Sequence, residues 1–235
     1  QRLLSVVAAI LSNGNKAKKN WEYAAESMVH FLDEGSFPLR NPDSGKVYGI
    51  RGQNISKHLD LLNKMVADLG VDQTSELMLQ PHTIKELRVI KKKYGGGAIE
   101  GVQTDIRLGV VMFGEKIGPF MMNMNGIHEV TIDSWMTRQA NRHFGKMVDH
   151  TGNESTGLTG APKNAKERAV MKKMINAVAK RNKVTPQDAQ AVLWYYEQQL
   201  FSSLGTNSTP EAFSDGAKTW INKREQEGKR RSESG

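Results

Sequence analysis

Cysteine is absent from all 235 residues. Disulfides, zinc ribbons, a cysteine nucleophile and a cysteine-ligated iron–sulfur cluster are therefore excluded, and a reducing compartment fits the composition. No run of about 18 apolar residues occurs, so no segment is a candidate to span a membrane. The opening stretch QRLLSVVAAILSNGNK is too short for a secretory signal and lacks its flanks. It begins on Gln1, which leaves an upstream extension of the native chain open. Strand signals are scarce, and neither an internal repeat nor a heptad pattern is present. Gly95-Gly96-Gly97 precedes no GK[ST] and is no P-loop. His128 and His143 have no metal-ligand spacing to other ligand types.

Acidic residues are the short side of the charge balance. Asp and Glu number 25 against 33 Lys and Arg, a net charge of +8. A basic chain of this size has polyanions, above all nucleic acid, as its first candidate partner. The plain alternative is a basic surface that serves only solubility. Helical periodicity runs almost throughout. Leu3, Leu4, Val7, Ala8 and Leu11 form one stripe, stopped by Ser12-Asn13-Gly14-Asn15. Trp21, Ala24, Ala25, Met28 and Phe31 form a second, ended by Asp33-Glu34-Gly35. Residues 35–53 break any helix, with Val47, Tyr48 and Ile50 as a short extended piece. Ile55, Leu59, Leu62 and Met65 restore the period, with Asn54 or Ser56 as the cap. A short helix is expected over 74–79. Thr83 to Tyr94 reads as a capped helix stopped by Gly95-Gly96-Gly97, and Val102 to Phe113 as another, ended by Gly114. Pro119 to Met124 starts a helix with Pro in its first turn. Ser134 to Phe144 follows, with Asp133 at its N-cap. Residues 149–163 read as a polar loop or mobile flap. Lys166 to Arg181 is a basic amphipathic helix, and Thr185-Pro186-Gln187-Asp188 opens the helix over 189–204. Residues 211–224 make the last helix, and 226–235 are expected to be a disordered tail.

The segment FGEKIGPFMMNMNGIHEVTIDSWMTR, residues 113–138, carries most information. It reads as a helix end, a tight turn at Gly118-Pro119, a new helix, then a loop from Gly126 to Thr131 leading to Asp133. Two helices joined through glycine leave unpaired backbone N–H groups at a helix N-terminus. Such groups and the helix dipole suit a phosphate, and glycine lets a nucleic-acid backbone come close.

This segment resembles the helix-hairpin-helix DNA glycosylase superfamily, the group of endonuclease-III-like and adenine-mismatch glycosylases. Lys116-Ile117-Gly118-Pro119-Phe120 stands where the family has its phosphate-binding hairpin. Val130-Thr131-Ile132-Asp133-Ser134-Trp135-Met136-Thr137-Arg138 stands where it has Val-Asp-Thr-His-Val-x-Arg, whose Asp is catalytic. Val7-Ala8-Ala9-Ile10-Leu11-Ser12 is similar to the family's early helix end, and the segment WYYEQQLFSSLG from Trp194 to its closing helix. The likeness is sharp only over 113–138 and weak over about residues 4–205. Departures are visible: Lys116 replaces the first hairpin glycine, Phe120 stands at the Schiff-base lysine position, Gly14 replaces a Gln, and the loop to Asp133 is shorter. The resemblance implies an all-α fold of two helical lobes with a cleft between them and the helix-hairpin-helix at the cleft. The middle lobe would be 15–130; 1–14 and 131–225 would make the other. It implies base flipping and Asp133 as the carboxylate that stabilises the sugar cation and activates water. Phenylalanine at 120 implies no β-lyase step. It implies no iron–sulfur cluster, with a monovalent cation at the hairpin left open. Duplex DNA carrying a modified base would be the partner of a monomeric protein, within the cytoplasm or nucleoid, or in the host cell of a virus that encodes it. For Asp133 the plain alternative is an ordinary cap contributing about 1 kcal/mol.

Other candidates rest on single features. Lys116 is a phosphate contact, a relocated amine or an exposed turn lysine. Phe120 and Trp135 are base-pocket aromatics or core. Arg138 and Arg142 lie one turn apart and suit a phosphate or carboxylate clamp, or a solvated face. Arg51, Gln53 and Asn54, in the basic glycine-rich stretch over 40–57, are wedge candidates or part of a plain insertion. The helix over 166–181 tracks a DNA backbone or is merely solvated. Trp194-Tyr195-Tyr196 reads as core from the stripe Val192, Tyr195, Tyr196, Gln199. Three functions stay open: a monofunctional DNA glycosylase, a glycosylase-like enzyme of viral hypermodified thymine, and a catalytically silent DNA-binding module.

Overall fold

The computed structural model describes residues 2–41, 44–46, 48, 52–95, 106–145, 161–162, 164–205 and 210–233. The all-α class holds among them. The helices are α1 (Arg2–Leu11), α2 (Ala17–Glu34), α3 (Gly52–Leu69), α4 (Val71–Leu79), α5 (Ile84–Tyr94), α6 (Leu108–Met124), α7 (Ser134–His143), α8 (Ala165–Asn182), α9 (Pro186–Ser203) and α10 (Phe213–Glu233). Two strands of two residues, β1 (Pro81–His82) and β2 (Ile106–Arg107), pair antiparallel. The helix expected from Val102 therefore begins at Leu108, after a strand that no periodicity marked.

Contacts divide the chain into two units: residues 1–121 with 211–235, and residues 122–210. This differs from the expected grouping of 1–14 with 131–225. In the first unit α1 packs on α2, α3 and α4. The cause is its composition: Val7, Ala8, Ala9, Ile10 and Leu11 cover every side of the helix and all are buried. A helix apolar all round must be surrounded, and its sequence neighbours surround it. Gly35 ends α2 in the left-handed region at φ 73°, as Asp33-Glu34-Gly35 suggests. Thr83 opens α5 with a reciprocal cap: its hydroxyl accepts from Glu86 N–H at 3.3 Å and its own N–H donates to Glu86 at 2.8 Å. Asn54 and Ser56 lie inside α3, not at its cap; the Ser56 hydroxyl donates to the Leu39 carbonyl at 2.7 Å. The last helix lies along α2, where Lys223 pairs with the buried Glu26 at 3.6 Å. It continues to Glu233, through residues expected to be disordered, because Glu, Gln, Lys and Arg keep helical propensity there.

One titratable group in this unit sets a pH dependence. The His58 ring meets Phe113 edge-on with centroids 5.4 Å apart, and its Nδ1 is buried with no hydrogen-bond partner. Desolvation, helped by the charge of Lys57, pushes its pKa down from 6.5 to about 4. The unfolded chain therefore binds the proton first as pH falls. Stability of the first unit should be full above pH 6.5 and decline by about 3 kcal/mol on approach to pH 4. Denaturant unfolding of wild type and His58→Leu at pH 7 and pH 4.5 checks this; the variant should lose less between the two.

The second unit is built by α7, α8 and α9. Val130, Ile132, Met136, Ala140, Met171, Ile175, Ala179 and Ala189 form its buried core, with Met174, Val178, Leu193 and Trp194 half-buried against it. The Thr185-Pro186-Gln187-Asp188 start is observed as a reciprocal cap with Pro in the first turn of α9. The stripe Val192, Tyr195, Tyr196, Gln199 is not core. Val192 is 68% exposed and Tyr196 55%. Helix α9 carries a second apolar side, with Ala189, Leu193, Trp194 and Phe201, and that side faces the core.

Candidate functional site

Within residues 113–138 the expected turn at Gly118-Pro119 is not where the chain breaks. Helix α6 is interrupted at Gly114, whose φ of 88° and ψ of 175° lie outside the helical region. Residues 115–124 are one helix that contains Gly118 and Pro119. Gly114 was a predicted helix stop, and its positive φ is the backbone state for which glycine carries no Cβ penalty. Pro119, at the fifth helical position, removes a single intrahelical donor. Gly118 has a different role. A Cβ there would stand 2.6 Å from Val110 Cα and 2.8 Å from Val110 N, so its lack of a side chain lets the two halves of α6 touch backbone to backbone. The cation left open for the hairpin would need unpaired turn carbonyls. Inside a helix those carbonyls accept helical N–H groups, so residues 116–118 do not fit such an ion. Among the described residues no group of three or more His, Asp or Glu is placed to hold a metal.

Lys116 points back into its own unit, where its Nζ donates to the Ser12 carbonyl at 3.3 Å. A cation at the C-terminal end of α1 is favoured by the helix dipole. Phe120 packs against Phe213 of α10, with ring centroids 5.7 Å apart. Asn54 is exposed in the first turn of α3. Arg51 lies outside the described residues, as does the side chain of Gln53.

The loop after α6 is held by side chains of the second unit. Asn123 Oδ1 accepts from Glu129 N–H at 2.8 Å and from Gln187 Nε2 at 2.9 Å. Thr131 N–H donates to Gln190 Oε1 at 2.7 Å. Val130 and Ile132 anchor the same stretch in the core. The chain therefore arrives at Asp133 extended, at φ −99° and ψ −173°, the backbone state of an N-cap. The Asp133 carboxylate accepts twice: Oδ1 from Met136 N–H at 2.9 Å and Oδ2 from the Trp194 indole Nε1–H at 2.8 Å. An ionised carboxylate offers about four acceptor positions, so two remain. The indole bond fixes the carboxylate to α9, a constraint no local pattern announces.

Below Asp133, α7 faces α9 through aromatic and charged side chains. Trp135 meets Phe201 edge-on at 5.5 Å, and the Arg138 guanidinium stacks 4.7 Å from the Trp135 ring centre and 5.6 Å from that of Phe201. Arg142 donates through Nε at 3.1 Å and Nη2 at 2.9 Å to Glu197 Oε2, and Glu197 is buried. Arg138 and Arg142 thus do different work: one is a stacked cation, the other a clamp on an internal carboxylate. Trp194 reads from the sequence as core, not as a partner of Asp133, and Glu197 and Gln190 carry no local signal of their roles, since each acts on a residue far from it in sequence. Comparison with family models, with curated proteins and with solved structures finds no match to this chain.

Proposed function

We propose that this chain binds DNA and hydrolyses the N-glycosidic bond of a flipped-out modified base, without lyase chemistry. The observation that carries the reading is the fixed carboxylate of Asp133, held by Met136 N–H and the Trp194 indole with two acceptor positions to spare. In this reading the bond between C1′ and the base nitrogen breaks with its electron pair leaving on the base, which takes up a proton. Positive charge grows on the sugar. A preorganised carboxylate stabilises that charge at no reorganisation cost. Water then forms the new bond at C1′ and sheds its proton to Asp133. Water is the nucleophile because position 120 is phenylalanine and the Lys116 amine already serves Ser12. The motif from Val130 to Arg138 and the net charge of +8 point to the same substrate class.

The same hydrogen bonds favour a second reading, in which Asp133 only caps α7 and the protein binds DNA without chemistry. Base release separates them. Wild type and Asp133→Asn would be incubated with labelled duplexes carrying single modified bases, hydroxymethyluracil among them, and then treated with alkali. The expected result is cleavage only after alkali, reduced at least about 100-fold in the variant. Asparagine keeps one acceptor for the cap but sets its NH2 against the Trp194 indole N–H, so stability should fall by about 1–3 kcal/mol. Full turnover by the variant would sink the catalytic role. Tight duplex binding with no base released from any substrate would favour the silent module.

A further inference from the structure

Helix α8 lies on the unit that contains Asp133, its Met171, Ile175 and Ala179 sharing one core with Met136 and Ala140 of α7. Its opposite side carries Lys166, Lys173 and Lys180, all exposed. Positions seven apart in a helix are turned by only about 20°, so the three lysines form one ridge. Successive lysines are about 10 Å apart and the ridge is about 21 Å long. Ala169, Asn176 and Ala177 beside it are exposed and small, and Val170 is exposed next to it. The acid of this helix, Glu167, sits half-buried in the first turn, where Asn164 Oδ1 caps its N–H. None of the three lysines meets a carboxylate among the described residues. In the other unit some exposed lysines are paired, Lys19 with Glu22, Lys64 with Asp60 and Lys93 with Asp68, while Lys57, Lys85 and Lys92 are exposed without a carboxylate partner among the described residues. What sets α8 apart is the row of three at seven-residue spacing.

We propose that this ridge is a docking surface for the phosphate backbone of duplex DNA. The proposal rests on the DNA reading above. Charge complementarity selects the occupant: a row of unpaired cations, free of acids, suits a periodic polyanion. A spacing of about 10 Å is close to three base-pair steps of one strand. Because α8 and α7 share a core, a backbone held on the ridge would be fixed in relation to Asp133.

The test is the salt dependence of binding to a labelled 20-base-pair duplex, measured by fluorescence anisotropy between 50 and 200 mM KCl. Wild type would be compared with the triple variant Lys166→Gln, Lys173→Gln, Lys180→Gln. A control would remove three exposed cations of the other unit, Lys85→Gln, Arg88→Gln, Lys92→Gln. Each neutralised phosphate contributes about 0.9 to the slope of log K against log salt. The α8 variant should lose about 2.7 of that slope, so wild type should weaken about 40-fold more than the variant across the range. The control should keep the wild-type slope. Wild-type binding with an unchanged slope in the α8 variant overturns the docking surface and leaves the DNA reading standing. An equal loss in the control overturns it too, by showing a diffuse field instead of a contact. No duplex binding by wild type at 50 mM KCl overturns the DNA reading itself. Binding to anionic lipid vesicles in place of duplex does the same.

Discussion

Replacing Gly118 with alanine is expected to destabilise the first unit by about 3 kcal/mol. In an ordinary helix interior the same change would stabilise by up to about 1 kcal/mol. Here the sign is set by contact. The new Cβ would stand 2.6 Å from Val110 Cα, 2.8 Å from Val110 N and 3.0 Å from the Gly109 carbonyl carbon. All three are backbone atoms, which cannot rotate aside as a side chain does. Relief requires the two halves of α6 to separate, and that would pull Ile117 and Met121 away from the buried positions they hold. Gly228→Ala is the control: a Cβ there meets nothing within 4 Å. Its effect should be slightly stabilising through helix propensity. Urea unfolding followed by circular dichroism checks both; a Gly118→Ala midpoint at or above wild type would refute the close crossing.

Truncating Arg142 to alanine should cost the second unit about 3–5 kcal/mol. Glu197 has a side chain only 1% exposed and receives both Nε and Nη2 of Arg142 on one oxygen. With the guanidinium gone, a buried carboxylate loses its charge partner. The pair as a whole is worth much less, since its desolvation nearly offsets its attraction. The double variant Arg142→Met, Glu197→Met should therefore recover most of the loss. Hydrogen exchange over residues 186–203 reads the effect locally. Equal destabilisation in the single and double variants would mean that packing, and not an orphaned charge, sets the cost. Because Glu197 and Trp194 lie one turn apart on α9, the single variant should also loosen the indole that holds Asp133.

The sequence by itself determined several helix starts and stops. Thr83, Asp133 and Thr185 cap the helices they precede, and Gly35 and Gly114 end or break theirs. These signals are legible because capping and positive φ involve a side chain and backbone groups a few residues apart. Asp133 as a cap was legible for that reason; its second partner was not, since Trp194 is 61 residues away. Gln187 and Gln190, 64 and 59 residues from the groups they bond, were hidden in the same way. Only the tertiary structure decided which side of α9 turns inward. Both sides are apolar enough, and the choice went to Ala189, Leu193 and Trp194 over Val192 and Tyr196 because those meet α7 and α8. It also decided that α1 joins α2, α3 and α4, and that Gly118 and Pro119 stay helical. Periodicity identifies a face, but what that face is buried against depends on every other apolar surface competing for it, and no window along the chain contains that competition.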